Sequence, residues 1–190
     1  MSAPTVWQYR LRTSTGAWLA DVILREDGFF ATVSDWGNYA FRWTSPGMPF
    51  REFVARLASS PDYVSGKLES RDWYDGEGTL KRIREHILTS RREGSWTKEE
   101  AANEWRVLAE SLDTRDGSVP RGAWDIDLEQ FSRWYHATSI GDASGFARYD
   151  YPPDVRSFAR EVMPALAVAI RAELAAEQQA QAAQAGGAQP

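Results

Sequence analysis

The stretch Gly28-Phe29-Phe30-Ala31-Thr32-Val33-Ser34-Asp35-Trp36-Gly37-Asn38-Tyr39-Ala40-Phe41-Arg42-Trp43 decides the fold. Two runs of β-branched and aromatic residues flank the turn tetrapeptide Asp35-Trp36-Gly37-Asn38, the pattern of a tight β-hairpin. In the second run Tyr39, Phe41 and Trp43 face one way and Ala40 and Arg42 the other, since side chains alternate along a strand. Upstream, Thr13-Ser14-Thr15-Gly16 and Arg25-Glu26-Asp27-Gly28 supply two more turns. Residues from about 6 to 44 therefore read as a four-stranded antiparallel meander. Its first strand sets Trp7, Tyr9 and Leu11 against Gln8, Arg10 and Arg12, so one face is to be covered and the other solvated.

Downstream the period changes from two to helical. Ser45-Pro46-Gly47-Met48-Pro49 ends the sheet, and Phe50, Phe53, Val54 and Leu57 then share one helical stripe that suits a roof for it. Residues 62–76 read as a turn-rich connection. Residues 77–92 read as a helix whose apolar face is Leu80, Ile83 and Ile87, with Leu88 beside it. Thr97-Lys98-Glu99-Glu100 is a capping box opening another helix to about residue 112. Residues 126–137 form a further short helix carrying Leu128, Phe131, Trp134 and Tyr135. A Gly/Ser/Asp-rich loop over 138–151 leads to a long helix through about residue 177, which Pro164 is expected to kink or split.

The fold class is thus α+β, an N-terminal antiparallel four-stranded meander followed by four to six helices. We expect residues 1–94 to form the sheet with its helices and residues 95–177 a helical part packed on it. Residues 178–190, built only from Ala, Gln, Gly and Pro, are expected to be a disordered tail.

Composition narrows the function classes. The 190 residues contain no Cys, which excludes thiolate metal sites, a cysteine nucleophile and a disulfide framework, and fits a reducing compartment. No stretch approaches the roughly 18–20 apolar residues of a membrane span, and the opening Met-Ser-Ala-Pro-Thr lacks the basic and apolar regions of a signal peptide. A cytoplasmic protein with no membrane association is expected. Nine Trp are an excess, with large rigid surfaces suited either to a core or to anchoring a partner. The formal charge of −5 is concentrated in residues 95–130, where nine acids face four bases.

No catalytic signature is present. His86 and His136 lack the spacing of a two-His metal motif, and both are read as structural. Asp125-Ile126-Asp127 begins like a calcium loop, but the following ligands are missing; Asp127 reads better as a helix cap. Asp75-Gly76-Glu77 reads as a turn feeding a helix. Asp35 adds no further ligand spacing. No catalytic residue, metal or cofactor is assigned.

Two binding surfaces remain. The first is acidic and indole-rich: Trp36 at a hairpin tip, which reads equally as an exposed anchor or as folded back under the 50–58 helix, with Glu99, Glu100, Glu104, Glu110, Asp113 and Asp116, interleaved with Trp96, Trp105 and Trp124, could dock on a basic partner. The alternative is the basic helix, where Lys81, Arg82, Arg84, Arg91 and Arg92 lie near Trp73 and Tyr74, a pairing of phosphate contact with base stacking.

The run 28–43, followed by Phe50-Arg-Glu-Phe53, Asp62-Tyr63, Gly66-Lys67-Leu68 and residues 74–88, resembles a group of small proteins encoded by bacteriophages and prophages. The resemblance covers about residues 17–94. It implies an accessory protein of the bacterial cytoplasm, a class that includes inhibitors of host defence such as anti-CRISPR proteins; no inhibitor motif is matched residue by residue. The expectation is a non-catalytic, phage-derived protein that binds a host protein or protein–nucleic acid complex and inhibits or modulates it, the alternative being a nucleic-acid-binding accessory protein.

Overall fold

Four strands, β1 (Val6–Arg12), β2 (Trp18–Arg25), β3 (Phe29–Ser34) and β4 (Gly37–Arg42), pair antiparallel in chain order. They belong to a computed structural model that describes residues 3–112 and 125–186. The hairpin turns fall at the three expected tetrapeptides, and Gly16, Gly28 and Gly37 take the positive φ those turns need. Gly28 carries a second constraint: a Cβ there would strike the Trp43 carbonyl, whose own N–H donates to Gly28 O at 3.0 Å.

Register aligns Tyr9, Val22, Thr32 and Tyr39 across the sheet, and next to them Leu24, Phe30 and Phe41. This face carries the core: Tyr9, Leu11, Val22, Leu24, Phe30 and Trp43 are buried. Its roof comes from helix α1 (Phe50–Leu57) and from the C-terminal helical run, with Phe50, Val54, Phe158, Val162, Leu166 and Ile170 in the same cluster. Burying each such side chain stabilises by about 1.5–3 kcal/mol, which is why the period-two pattern of the strands and the period-3.6 pattern of the helices find each other.

Residues 61–68 form a helix, α2 (Pro61–Leu68), where the sequence suggests only a connection; Pro61 at its first turn fits helix initiation, and Val64 is buried. The C-terminal run is α6 (Pro153–Ser157), a π-helical turn Phe158–Val162 and α7 (Met163–Gly186), without a break between them. Pro164 lacks an N–H and its ring would press on the preceding turn of an α-helix. The wider turn, in which Met163 N–H donates to Phe158 O, sits immediately before it and is the form the expected interruption takes. The helix then continues to Gly186, so residues 178–186 are helical rather than the disordered tail expected from their composition.

One ion-pair cluster ties this unit together. Arg51 donates to both carboxylate oxygens of Glu177, at 2.8 and 2.7 Å, lies 3.2 Å from Glu173, and stacks over the Trp7 ring. Tyr9 donates to Glu173 at 2.6 Å, and burial together with that carboxylate pushes its phenol up.

Residues 72–150 have a separate core. Helices α3 (Gly76–Arg92), α4 (Lys98–Ser111) and α5 (Leu128–Ala137) and a short 3-10 turn, Ala143–Phe146, bury Leu80, Ile83, Ile87, Leu108, Ile126, Trp134 and Phe146. Strands β5 (Trp73–Tyr74) and β6 (Tyr149–Asp150) form a two-stranded ribbon. Three side chains set the helix starts. Asp75 accepts from Gly78 N, and Thr97 and Asp127 each complete a capping box.

The chain accordingly divides into residues 1–71 with 151–190, and residues 72–150. The expected boundary near residue 95 does not coincide with this division. The apolar face of α3 is buried in the cluster that also holds Leu108 and Trp134, not in the core of the sheet, and the last helix returns to the sheet.

Candidate functional site

The acidic residues singled out in the sequence have different fates. Glu104 is 1% exposed. Its carboxylate accepts from Thr138 Oγ1 at 2.6 Å and from Ser139 N and Oγ at 3.0 and 2.5 Å, closing the C-terminal end of α5 against α4. It is an internal hydrogen-bond hub and cannot meet a partner. Glu100 serves the capping box: the Thr97 backbone N–H donates to it at 2.6 Å, which holds its carboxyl below the ordinary value. Glu110 pairs with Arg106 at 2.9 Å, and Glu99 is exposed. Asp113, Asp116 and Trp124 lie outside the described residues. Of the acids singled out on α4, Glu99, Glu100 and Glu110 are exposed and only Glu104 is withdrawn from the surface.

Of the two readings of Trp36, the structure favours the one in which it folds back: the residue is half-buried. Its ring packs against the sheet core and its indole nitrogen is buried. The tip is tied down by its neighbours: Trp36 N donates to Ser34 Oγ, Ser34 Oγ donates to Gly37 O at 2.8 Å, and the Tyr39 hydroxyl donates to Trp36 O at 2.6 Å.

The bases of α3 are only partly a surface set. Lys81 and Arg82 line a groove of 540 Å³ together with Arg148, but Asp75 and Glu85 line it too, so it presents both signs of charge. Arg82 also stacks over Phe146, and Arg84 is half-buried, its basicity lowered by that burial. Arg91 and Arg92 are exposed in the last turn, where cations favour the helix dipole.

His86 meets Trp96 and Phe146 edge-on, with ring centroids 5.3 and 5.1 Å apart. It lines a cleft of 370 Å³ with Trp96, Glu100, Glu104 and Ser139. Both carboxylates of that cleft are engaged in the local hydrogen bonds just described. His136 is exposed and packs on Tyr135. Among the described residues, no group of three or more His, Asp and Glu side chains is placed to hold a metal ion.

The feature with the chemistry of recognition lies elsewhere on the 72–150 unit. Trp73, Leu128 and Tyr149 are 54%, 55% and 52% exposed, and they gather around one groove of 500 Å³. The β5–β6 ribbon places Tyr74 opposite Tyr149, their rings 5.9 Å apart and edge-on, and Tyr74 also meets Phe131 from α5. Burial raises the Tyr74 phenol. The first turn of α5 brings Leu128 to the rim. Gly76 permits the close approach, because a Cβ there would collide with the Ile126 carbonyl. Asp72, Asp125 and Asp127 complete the lining, and no Lys or Arg is among the described residues that form it. One oxygen of Asp127 caps α5, accepting from Gln130 N at 2.8 Å.

Parts of this groove show in the sequence, as the Trp73-Tyr74 pair and the Asp125-Ile126-Asp127 run. Their convergence with Tyr149 depends on a two-residue ladder between distant segments, which no local pattern announces.

A two-unit α+β protein with an aromatic, acid-rimmed groove on its mainly helical unit is the class that fold and site define. A family model described as a phage family matches residues 1–172, and the chain belongs to that family. The match extends well past the residues 17–94 that carry the resemblance in the sequence. No curated protein and no solved structure matches the chain. Among the described residues no helix is long and apolar enough to cross a membrane.

Proposed function

We propose that this phage protein acts by binding a host macromolecule without catalysis, and that its contact surface is the Trp73–Leu128–Tyr149 groove. Inhibition or modulation of the bound target, with inhibition of host defence such as CRISPR as its sharpest form, is the biological reading. The observation that carries it is the gathering of three large apolar side chains, each more than half exposed, around one concave site. Water solvates such surface poorly, and exposed Trp and Tyr in a concavity are typical binding anchors. The alternative cleft, at His86, supports catalysis less well because Glu100 and Glu104 are already committed to holding helix ends.

The test is capture of partners from a bacterial host lysate on the immobilised full chain, with identification by mass spectrometry. We expect a host target that is retained by the wild-type chain and lost on Trp73→Ala. A target retained equally by Trp73→Ala removes the groove from the proposal.

A second reading rests on Lys81, Arg82 and Arg148 around one groove: a nucleic-acid contact. It requires retention of an oligonucleotide that weakens steeply with salt and is lost on Lys81→Glu with Arg82→Glu.

A further inference from the structure

We infer that the occupant of the Trp73 groove is a basic, apolar segment of a protein, with a Lys or Arg side chain lying over the exposed rings and ion-paired to Asp72 and Asp125. The inference deepens the binding reading above and rests on it. Its basis is charge complementarity. The described lining of the groove offers three carboxylates and no base, and its apolar surface is the rings of Trp73, Tyr74 and Tyr149 with Leu128 beside them. Aromatic faces attract cations through the ring quadrupole, most strongly for Trp, and a neighbouring carboxylate adds Coulomb attraction. The chain shows this chemistry within itself: Arg51 lies over Trp7 while paired to Glu173 and Glu177, and Arg25 lies over Phe29 while paired to Asp27. At the Trp73 groove the ring and carboxylate halves of that arrangement are exposed, and the cation is what a partner would bring.

The same charges disfavour the competing occupants. Phosphates of a nucleic acid would be repelled by Asp72, Asp125 and Asp127. A second copy of this chain would set like charges against one another if the two grooves met face to face, as in a two-fold dimer.

The test uses the full chain and fluorescein-labelled peptides repeating Lys-Phe-Gly, Ser-Phe-Gly or Glu-Phe-Gly, with a labelled oligothymidylate as the nucleic-acid arm, read by fluorescence anisotropy. The Lys peptide is expected to bind tightest and the Glu peptide and oligothymidylate not at all. Trp73→Ala should weaken the Lys peptide by about tenfold or more, as loss of an aromatic anchor does. Asp72→Asn with Asp125→Asn should weaken it by roughly several-fold and flatten its salt dependence. These exposed substitutions leave the fold intact, which an unchanged thermal transition verifies.

Equal binding of the Lys and Ser peptides, no binding of the Lys peptide, or Trp73-dependent binding of oligothymidylate each overturns the basic occupant. So does sedimentation of the free chain as a dimer that Trp73→Ala dissociates. A host target captured through Trp73 while the Lys peptide fails to bind overturns this inference and leaves the binding reading standing.

Discussion

The two units of this chain differ in where their largest aromatic side chains end up. In the sheet unit, Tyr39 meets Phe158 of the roof at a tilt and Phe41 meets Trp43 edge-on, all within one core cluster. Several of its charges are paired: Arg51 with Glu173 and Glu177, Arg10 with Asp21, and Arg25 and Arg42 with Asp27. In the 72–150 unit the core is smaller, and Trp73, Leu128, Tyr135 and Tyr149 are left facing solvent. The difference separates two demands on the same residue types. A Trp that closes a core adds stability, whereas a Trp held at a rim costs solubility and has an advantage only when something binds it.

The largest expected effect tests whether the two cores are energetically distinct. Trp134 is fully buried in the 72–150 unit and Phe30 in the sheet unit. Each truncation to Ala should cost about 3–5 kcal/mol. Hydrogen exchange read by mass spectrometry should show Trp134→Ala losing protection in residues 72–112 and 125–150 while β1–β4 stay protected, and Phe30→Ala the reverse. Loss of protection everywhere in both variants would join the two regions into one cooperative unit and break the comparison.

Glu104 gives the next effect. Glu104→Ala removes a buried acceptor and leaves Ser139 N and two hydroxyls without their partner, costing about 2–4 kcal/mol in urea denaturation. Glu104→Gln should cost less, because an amide oxygen replaces part of the acceptor capacity. If Glu104→Ala leaves stability unchanged while abolishing capture of a host target, Glu104 belongs to the contact surface after all.

These outcomes bear on how far the sequence can be read. The meander is legible because alternation and turn chemistry are local, and every glycine at a turn announces itself. The helix starts are legible for the same reason: Thr97 and Asp127 sit three residues ahead of Glu100 and Gln130. Glu104 misleads because an acid on a charged helix reads as solvated. Its position betrays it, three residues after Ala101 and four before Leu108, both of which are buried. Trp73 is singled out in the sequence but Tyr149 is not, since only the pairing of β5 with β6 joins them. The composition of the last helix misleads in the other direction. Ala and Gln cannot build a core, yet they propagate a helix that residues 163–174 have already started.

A smaller effect separates the units by pH. The guanidinium of Arg51 holds the Glu177 carboxyl below its ordinary 4.5, and Arg25 with Arg42 holds Asp27 below its ordinary 3.8. A carboxyl depressed on folding contributes stability that is complete above its unfolded value and is lost as pH falls through the folded one. Acid titration from about pH 5 downward should therefore weaken the sheet unit. Arg51→Ala should remove part of that pH dependence, measured as the difference in thermal midpoint between neutral and acid pH. In the 72–150 unit the only comparable carboxyl among the described residues is Glu100, depressed by its capping bonds. A response to Arg51→Ala that appears in residues 72–150 would break the assignment of the pair to one unit.

The smallest effect on stability carries the most weight for function. Trp73 is more than half exposed, so Trp73→Ala should shift unfolding by no more than about 0.5 kcal/mol. Trp43→Ala, in the buried cluster of the sheet, should cost about 3–5 kcal/mol. The two indoles differ in what holds them: Trp43 donates to the Tyr63 hydroxyl at 3.1 Å and packs among Phe30, Phe50 and Phe53, while Trp73 stands on a two-residue ribbon. A destabilisation of Trp73→Ala as large as that of Trp43→Ala would make Trp73 a packing residue, and loss of partner capture would then reflect unfolding. A near-silent Trp73→Ala that no longer holds its target would separate recognition from stability at a single side chain.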